Sequence, residues 1–394
     1  MPRGYDGGCD KTRGSRQTGA VITPADDYPL HQSSRPLRDP GTDRNLYDRF
    51  FFCGYPTAEN DVEQFGDTYF AVAFGQYPGR NVMDGAFSLV RNGRQHNVRG
   101  SRLLGDDRLN LCVGPISVQI VVPLQQLCVR IDAPEAGLIA ELTFTSRGPA
   151  FEEPHYRYGA GYLTTFDITR LTQNGAWSGW ISHEGERIVV SPDSWLGTRD
   201  RSWGIRGVGG REPNLAPDGP AAFYWLWAPL NFPDANLLFD VNETIDGTRW
   251  HANAQLAPVG HDPIELAKAV QEGTHTYDIT WKPNTRHAVA FDMTLTHPDA
   301  TSTVRLDVCN TFFMPGIGYM HPTWGHGMFV GPDERTHDTY VTADIDESDL
   351  AWQHVQHLVR ATRNDGTVGH GLLEMLILGP HAPSGFTGWT DMHT

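Results

Sequence analysis

The sequence is poor in positive charge, in cysteine pairs and in long apolar runs, and each deficit closes off a class of function. Thirty-one Lys and Arg face 47 Asp and Glu, a formal net charge of −16 over 394 residues. The clustered cations on which phosphate-backbone affinity rests are missing, so no nucleic-acid partner is expected. The five cysteines, Cys9, Cys53, Cys112, Cys128 and Cys309, are odd in number and form no C-x-x-C pair. Neither a disulfide framework nor a zinc knuckle follows, and reduced, mostly buried thiols are expected. No stretch approaches the roughly 20 consecutive apolar residues of a membrane-spanning helix, and MPRGYDGGCDKTRGSRQ at the N-terminus lacks the apolar core of a secretory signal. A cytoplasmic protein with no transmembrane segment is the expectation. Also missing are a G-x-S-x-G elbow, a P-loop and H-E-x-x-H, and Gly207-Val208-Gly209-Gly210 lacks the strand–helix setting of a dinucleotide site.

What is abundant is Gly (42), Pro (27) and aromatics (11 Trp, 13 Tyr, 18 Phe). Long helices are disfavoured at that Gly and Pro density. Ile116, Val118, Ile120 and Val122 alternate with less apolar neighbours, Pro123 interrupts, and Leu127, Val129 and Ile131 resume the alternation. The same period of two recurs at Leu138-Ala140-Leu142-Phe144, Val289-Phe291-Met293-Leu295 and Val304-Leu306-Val308. Asn92-Gly93, Asn174-Gly175, Asp246-Gly247 and Asp365-Gly366 read as hairpin turns. One helix is predicted from Asp262 to Gln271, with Asp262 as N-cap and Gly273 as stop. The reading is an all-β antiparallel chain: a loose arm over 1–27, a β domain over 28–206, a Gly/Pro-rich linker over 207–222 and a second β domain over 223–394.

Four segments carry candidate chemistry. In Thr198–Arg206, alternation places Asp200, Ser202 and Arg206 on one face of a strand and Arg199, Arg201 and Trp203 on the other. Asp200 reads either as an acid set in an apolar site or as half of an Asp–Arg pair bracing a domain junction. In Gly318–Gly327, His321 and His326 beside Tyr319 and Trp324 suit water orientation, proton transfer, metal binding or simple bracing of a Gly-rich loop. A metal would need a third ligand from His370, His381 or Glu374; no metal or cofactor is assigned. In Phe151–Tyr156, adjacent Glu152 and Glu153 face opposite ways, so at most one serves a pocket. Phe223–Trp227 places Trp225 and Trp227 on one face of a buried strand, as core or as a π-rich wall.

The blocks DDYPLHQ (26–32), DRNLYDRFFFCGY (43–55), GERIVVSPDSWLGTRDRSWGIR (185–206), FYWLWAPL (223–230), YMHPTWGHGMF (319–329) and GHGLLEMLILGPHAPSGFTG (369–388) resemble a bacterial family of largely uncharacterised proteins. The SW…DRSWG signature is similar to that of the AttH-like and carotenoid hydratase (hydroxyneurosporene synthase) superfamily. That resemblance implies two lipocalin-like β-barrels packed together, a hydrophobic and often terpenoid small-molecule substrate, and cofactor-independent hydration of an isolated C=C bond. Isomerisation or cyclisation on the same fold, and non-catalytic carriage of a lipid or terpenoid, are the alternatives. A homodimer is compatible with this reading. The mechanism expected makes Asp200 the acid, Trp203, Trp225, Trp227 and Trp324 the cation-stabilising walls, Tyr319 an orienting hydroxyl, and His321 or His326 the base. Arg201 lines the substrate site, and Glu153 replaces Asp200 as acid if Arg201 pairs with Asp200.

Overall fold

The structure is a computed structural model and describes residues 22–31, 41–57, 67–160, 163–209, 222–298 and 300–394. Residues 1–21 of the expected arm and 210–221 of the expected linker lie outside the described residues. In the first half the strands are β1 (Leu46–Pro56), β2 (Tyr69–Tyr77), β3 (Val82–Arg91), β4 (Arg94–Leu103), β5 (Cys112–Val113), β6 (Ile116–Val122), β7 (Gln126–Ala133), β8 (Leu138–Ser146), β9 (Phe151–Glu152), β10 (Tyr156–Ala160), β11 (Leu163–His183), β12 (Glu186–Val190) and β13 (Trp195–Ile205). In the second they are β14 (Phe223–Asn231), β15 (Ala235–Glu243), β16 (Arg249–Pro258), β17 (Gln271–Glu272), β18 (Thr274–Trp281), β19 (Ala288–His297), β20 (Ala300–Phe313), β21 (Asp333–Val341), β22 (Val355–Arg363) and β23 (Val368–Leu378). They form two antiparallel sheets, ordered β21-β4-β3-β2-β1-β13-β11-β8-β7-β6-β5 and β17-β16-β15-β14-β23-β22-β20-β19-β18. Each curls into a nearly closed barrel, the all-β, two-barrel architecture that the alternation and the resemblance led us to expect.

The halves are not independent. β21 comes from the second half of the chain, yet it pairs with β4 along its whole length, from Asp333 opposite Arg102 to Val341 opposite Arg94. Buried Arg99 fastens this exchange, its guanidinium donating to Asp338 at 2.8 Å and to the Tyr340 hydroxyl at 2.9 Å.

Strand alternation sorts side chains into three apolar layers. Phe50 and Phe52 of β1 point into the first barrel with Phe70, Phe74, Phe87, Leu127, Phe144, Trp177 and Trp195, which fill its lumen. Leu226, Leu237, Phe239, Phe291, Leu306, Val359 and Leu373 fill the second. Between the barrels lies a third layer that includes Tyr47, Phe51, Tyr55, Tyr69, Tyr77, Trp225, Trp227, Phe312 and Leu372. β1 and β2 are buried on both faces and so read as unbroken apolar runs. With both lumens packed, lipocalin-type carriage of a ligand inside a barrel has no room.

Several local expectations change. Asn92-Gly93, Asp246-Gly247 and Asp365-Gly366 do connect successive strands, but Asn174 and Gly175 lie mid-strand in β11. Gly175 is there because a Cβ would fall 2.2 Å from the Phe144 ring. The predicted helix shrinks to one turn, α1 (Pro263–Leu266), capped by the Asp262 carboxylate accepting from the Glu265 N–H at 3.1 Å and followed by a 3-10 turn.

Residues 22–27, read as the end of a loose arm, are anchored to the first barrel through Asp27, with Thr23, Pro24 and Ala25 left exposed. Asp27 is fully buried, bound by Arg199 at 2.5 and 3.2 Å and by the Leu124 N–H at 2.6 Å. His31 stacks on Trp203 at 3.7 Å and bonds Asp26 and Asp48.

The four described cysteines are free, as expected, but Cys112 and Cys309 are exposed and only Cys53 is fully enclosed. Burial pushes the Cys53 thiol up to about 12. With a disulfide reagent at pH 8, Cys112 is therefore expected to react in the native protein and Cys53 only after unfolding. Native labelling at Cys53, read by peptide mass, would contradict this packing.

Candidate functional site

The chemistry concentrates where the outward face of the first barrel meets the second. Register sets that face: Asp200 on β13 lies opposite Phe51 on β1 and Thr172 on β11, so all three side chains project the same way, toward β14 and β23. Asp200 is set deep within the protein yet keeps some accessible surface. Its carboxyl makes no hydrogen bond or ion pair among the described residues. Burial raises its pKa to about 6, with Glu153 and Glu374 pushing the same way, against the pull of the Arg170 and Arg49 guanidinium groups.

On one flank, Arg49 of β1 donates to the Tyr319 hydroxyl at 3.2 Å and to His326 Nε2 at 3.2 Å. Tyr319 and His326 arrive on the segment between β20 and β21, which crosses from one barrel to the other, and their rings meet edge to face at 4.4 Å. A second carboxyl, Asp84 of β3, accepts from Tyr77 at 3.1 Å and from the Gly327 N–H at 2.7 Å. Burial raises it also to about 6, against the pull of Arg49 and Arg206.

On the other flank, two buried networks hold the second barrel's wall. Glu374 accepts from Trp225 Nε1 at 3.0 Å, His354 at 2.9 Å and Gln356 at 2.6 Å, and the His354 and Gln356 bonds hold its carboxyl below the usual range despite the opposing effect of burial. Glu153 is paired with Arg170 and also accepts from Thr172 at 2.6 Å and Tyr156 at 3.0 Å. Tyr156 reaches Asp240 at 3.2 Å, and Asp240 is bound by His251 and by Asn253 at 2.9 Å. The Arg170 guanidinium lies 4.6 Å from the Trp225 ring. Trp227 meets Phe51 edge to face at 6.2 Å, and its indole N–H has no hydrogen-bond partner among the described residues. Recesses of about 530 Å³, beside Phe223 and Trp250, and about 770 Å³, beside Pro322 and Gly327, open near the two ends of this seam.

Residues 22–387 match the model of a family described as "Family of unknown function (DUF8625)". The chain belongs to this family. No curated protein matches it. Among solved structures it is similar to an AttH-like protein from Nitrosomonas europaea, at 15% identity and a TM-score of 0.52 over 88% of this chain and 98% of that one. Kievitone hydratase from Nectria haematococca (12% identity, TM-score 0.49, 83% of this chain and 88% of that one) and CghA (12%, 0.47, 93% and 97%) are further neighbours. At these identities the likeness is one of fold.

In this member of the family, the structure brings together Asp200, Tyr319, His326, Trp225 and Trp227 and separates them from the rest of the expected set. Arg201 does not pair with Asp200: it turns to the opposite face and binds Asp48 and the Arg49 carbonyl inside the first barrel, where no substrate reaches it. Trp203 follows it there, packing on His31, because odd and even positions of β13 face opposite ways. Glu153 is no reserve acid, since Arg170, Thr172 and Tyr156 already occupy its oxygens. His321 is taken up by its own loop, Nδ1 accepting from the Thr323 and Trp324 N–H groups at 3.2 and 2.9 Å, and Trp324 takes part through that backbone contact. His326 is held neutral by burial and by Arg49 and Arg206, but Arg49 occupies its acceptor nitrogen, so it is not poised as a base.

The residues named as possible third ligands are engaged elsewhere: His381 binds Glu243 and Ser384, and Glu374 binds the wall residues above. Among the described residues the one cluster with ligand-like spacing is Glu153, Asp240 and His251, already satisfied by Arg170, Tyr156 and Asn253. Residues not singled out from sequence include Arg49, Asp84, Arg170, Tyr156 and His354.

Proposed function

We propose that the recess between the barrels is an acid-catalytic site that protonates an isolated C=C bond of a hydrophobic small molecule, with Asp200 as the acid. The observation that carries this reading is the Asp200 carboxyl itself, set deep between the barrels without a hydrogen-bond partner among the described residues, where desolvation raises its pKa to about 6. A carboxyl in that condition has its proton free to give. Protonating one alkene carbon leaves a cation on the other, and Trp227 and Phe51 are the aromatic groups nearest Asp200 that are available to stabilise it, at about 0.5–2 kcal/mol each, since the Trp225 ring already carries the Arg170 guanidinium.

Asp200 closes the cycle alone. Water adds to the cation, the new C–O bond forms, and the extra proton on that oxygen passes to the Asp200 carboxylate, regenerating the acid. Tyr319 accepts its hydrogen bond from Arg49, so its own O–H remains available to orient the water. If water is excluded, the same carboxylate removes a proton from a neighbouring carbon and the outcome is isomerisation; where a second C=C of the substrate first attacks the cation to form a C–C bond, the same proton loss completes a cyclisation.

The test is incubation with a panel of small terpenoids in H₂¹⁸O with mass-spectrometric detection. Hydration places ¹⁸O in the product, whereas a rearranged product without label reassigns the site to isomerisation or cyclisation. An Asp200→Asn variant that folds and retains full turnover removes Asp200 from the mechanism.

A further inference from the structure

Two arginines at this seam are left without an ion pair among the described residues. Arg170 is neutralised by Glu153, but Arg49 and Arg206 are not neutralised by any ion pair among the described residues. Both converge on one ring, their guanidinium carbons 5.1 and 5.8 Å from the centre of Tyr319, and Arg206 also lies 4.7 Å over Tyr47. Arg49 spends its terminal nitrogens on two neutral partners, Tyr319 and His326, and its buried Nε has no acceptor. The Arg206 side chain makes no hydrogen bond among the described residues. The Tyr47 hydroxyl, in a residue 1% exposed, has the Ser202 side chain as its neighbour. Asp84 is the nearby carboxyl, but its oxygens accept from Tyr77 and Gly327 and contact neither guanidinium as an ion pair.

A buried guanidinium such as that of Arg49 persists where acceptors complete it, and Arg206 is half-buried beside it. The orphaned Arg49 donor and the unpaired Arg206 side chain are both satisfied if the substrate brings negative charge. We propose that Arg49, Arg206 and the Tyr47 hydroxyl form a subsite for an oxyanion head group, so that the substrate is an unsaturated hydrophobic acid with a carboxylate or phosphate at one end and its double bond toward Asp200. Guanidinium forks bind either oxyanion through paired N–H donors. This inference rests on the proposed function for the position of the double bond, but not for the head group.

The test measures binding of geranic acid, geranyl phosphate and methyl geranate to the full chain by calorimetry, alongside turnover. At least one of the two anions is expected to bind about tenfold or more tightly than the neutral ester, and which one does identifies the head group. Arg206→Gln is expected to abolish that preference while leaving ester affinity unchanged, and Arg206→Lys to restore part of it. Equal affinity for anion and ester, retention of the preference in Arg206→Gln, or failure of all three probes to bind overturns the subsite. Selective binding of the anion without conversion keeps the subsite and defeats the hydratase reading; conversion without anion preference does the reverse.

Discussion

Asparagine at position 200 is expected to lower turnover by about 10²–10⁴-fold and, at the same time, to raise the melting temperature at pH 8. The first effect follows from removing the proton donor. In the wild type the reactive form is the protonated one, so turnover falls as pH rises through about 6, and the residual rate of the variant has no such limb. The second effect follows from linkage. An Asp titrates near 4 in the unfolded chain and near 6 at this site. Between those values the native state holds a proton that the unfolded state has released, and above them it bears the full cost of a buried, unpaired carboxylate. Asparagine removes that cost, so the gain is complete above pH 6 and absent below about 4. Unfolding scans at pH 8 and pH 4 read it directly. A variant that loses stability at pH 8 would mark Asp200 as a structural residue.

The second large effect is at Asp27. Replacing it with Ala leaves the fully buried Arg199 guanidinium without its counter-ion and removes the acceptor for the Leu124 N–H. Breaking a buried pair from one side costs about 3–5 kcal/mol, to be read as a lower urea midpoint. The double substitution Asp27→Leu with Arg199→Met is expected to recover most of the loss, because no charge is then stranded. If the single variant unfolds like the wild type, residues 22–31 do not hold the barrel as described.

These two residues also show what the sequence made legible. Alternation at Ile116–Ile131 and Leu138–Phe144 is visible because those strands have one lumenal and one outer face. β1 and β2 are sandwiched between the lumen and the second barrel, and their apolar runs carry no period. The face assignment of Asp200, Arg201 and Trp203 follows from the pleat alone, but that Arg201 has Asp48 as its partner depends on a strand more than 150 residues away. Acids isolated in apolar runs, Asp84 in VMDGAFSLV, Asp240 in LLFDVN and Glu374 in LLEMLIL, were a usable signal, since a lone carboxylate in a two-sided strand must be paired or functional. His321 misleads for the opposite reason. A histidine in a Gly-rich loop looks reactive, yet that loop's own backbone N–H groups are the donors nearest to hand. Residues 22–27 read as loose because their few apolar groups cannot order them, whereas one buried ion pair does.

The exchanged strand β21 bears on how the protein is made. Synthesis runs from the N-terminus, and domains ordinarily fold in the order in which they emerge. Here the strand that covers β4 is encoded some 230 residues after it, so the first barrel keeps a bare edge until most of the second has left the ribosome. Its N–H and C=O groups wait open to any passing strand. The polypeptide is thereby committed to finishing both barrels together, and the seam between them, whose Tyr319 and His326 travel on the same crossing segment, is assembled only at that last step.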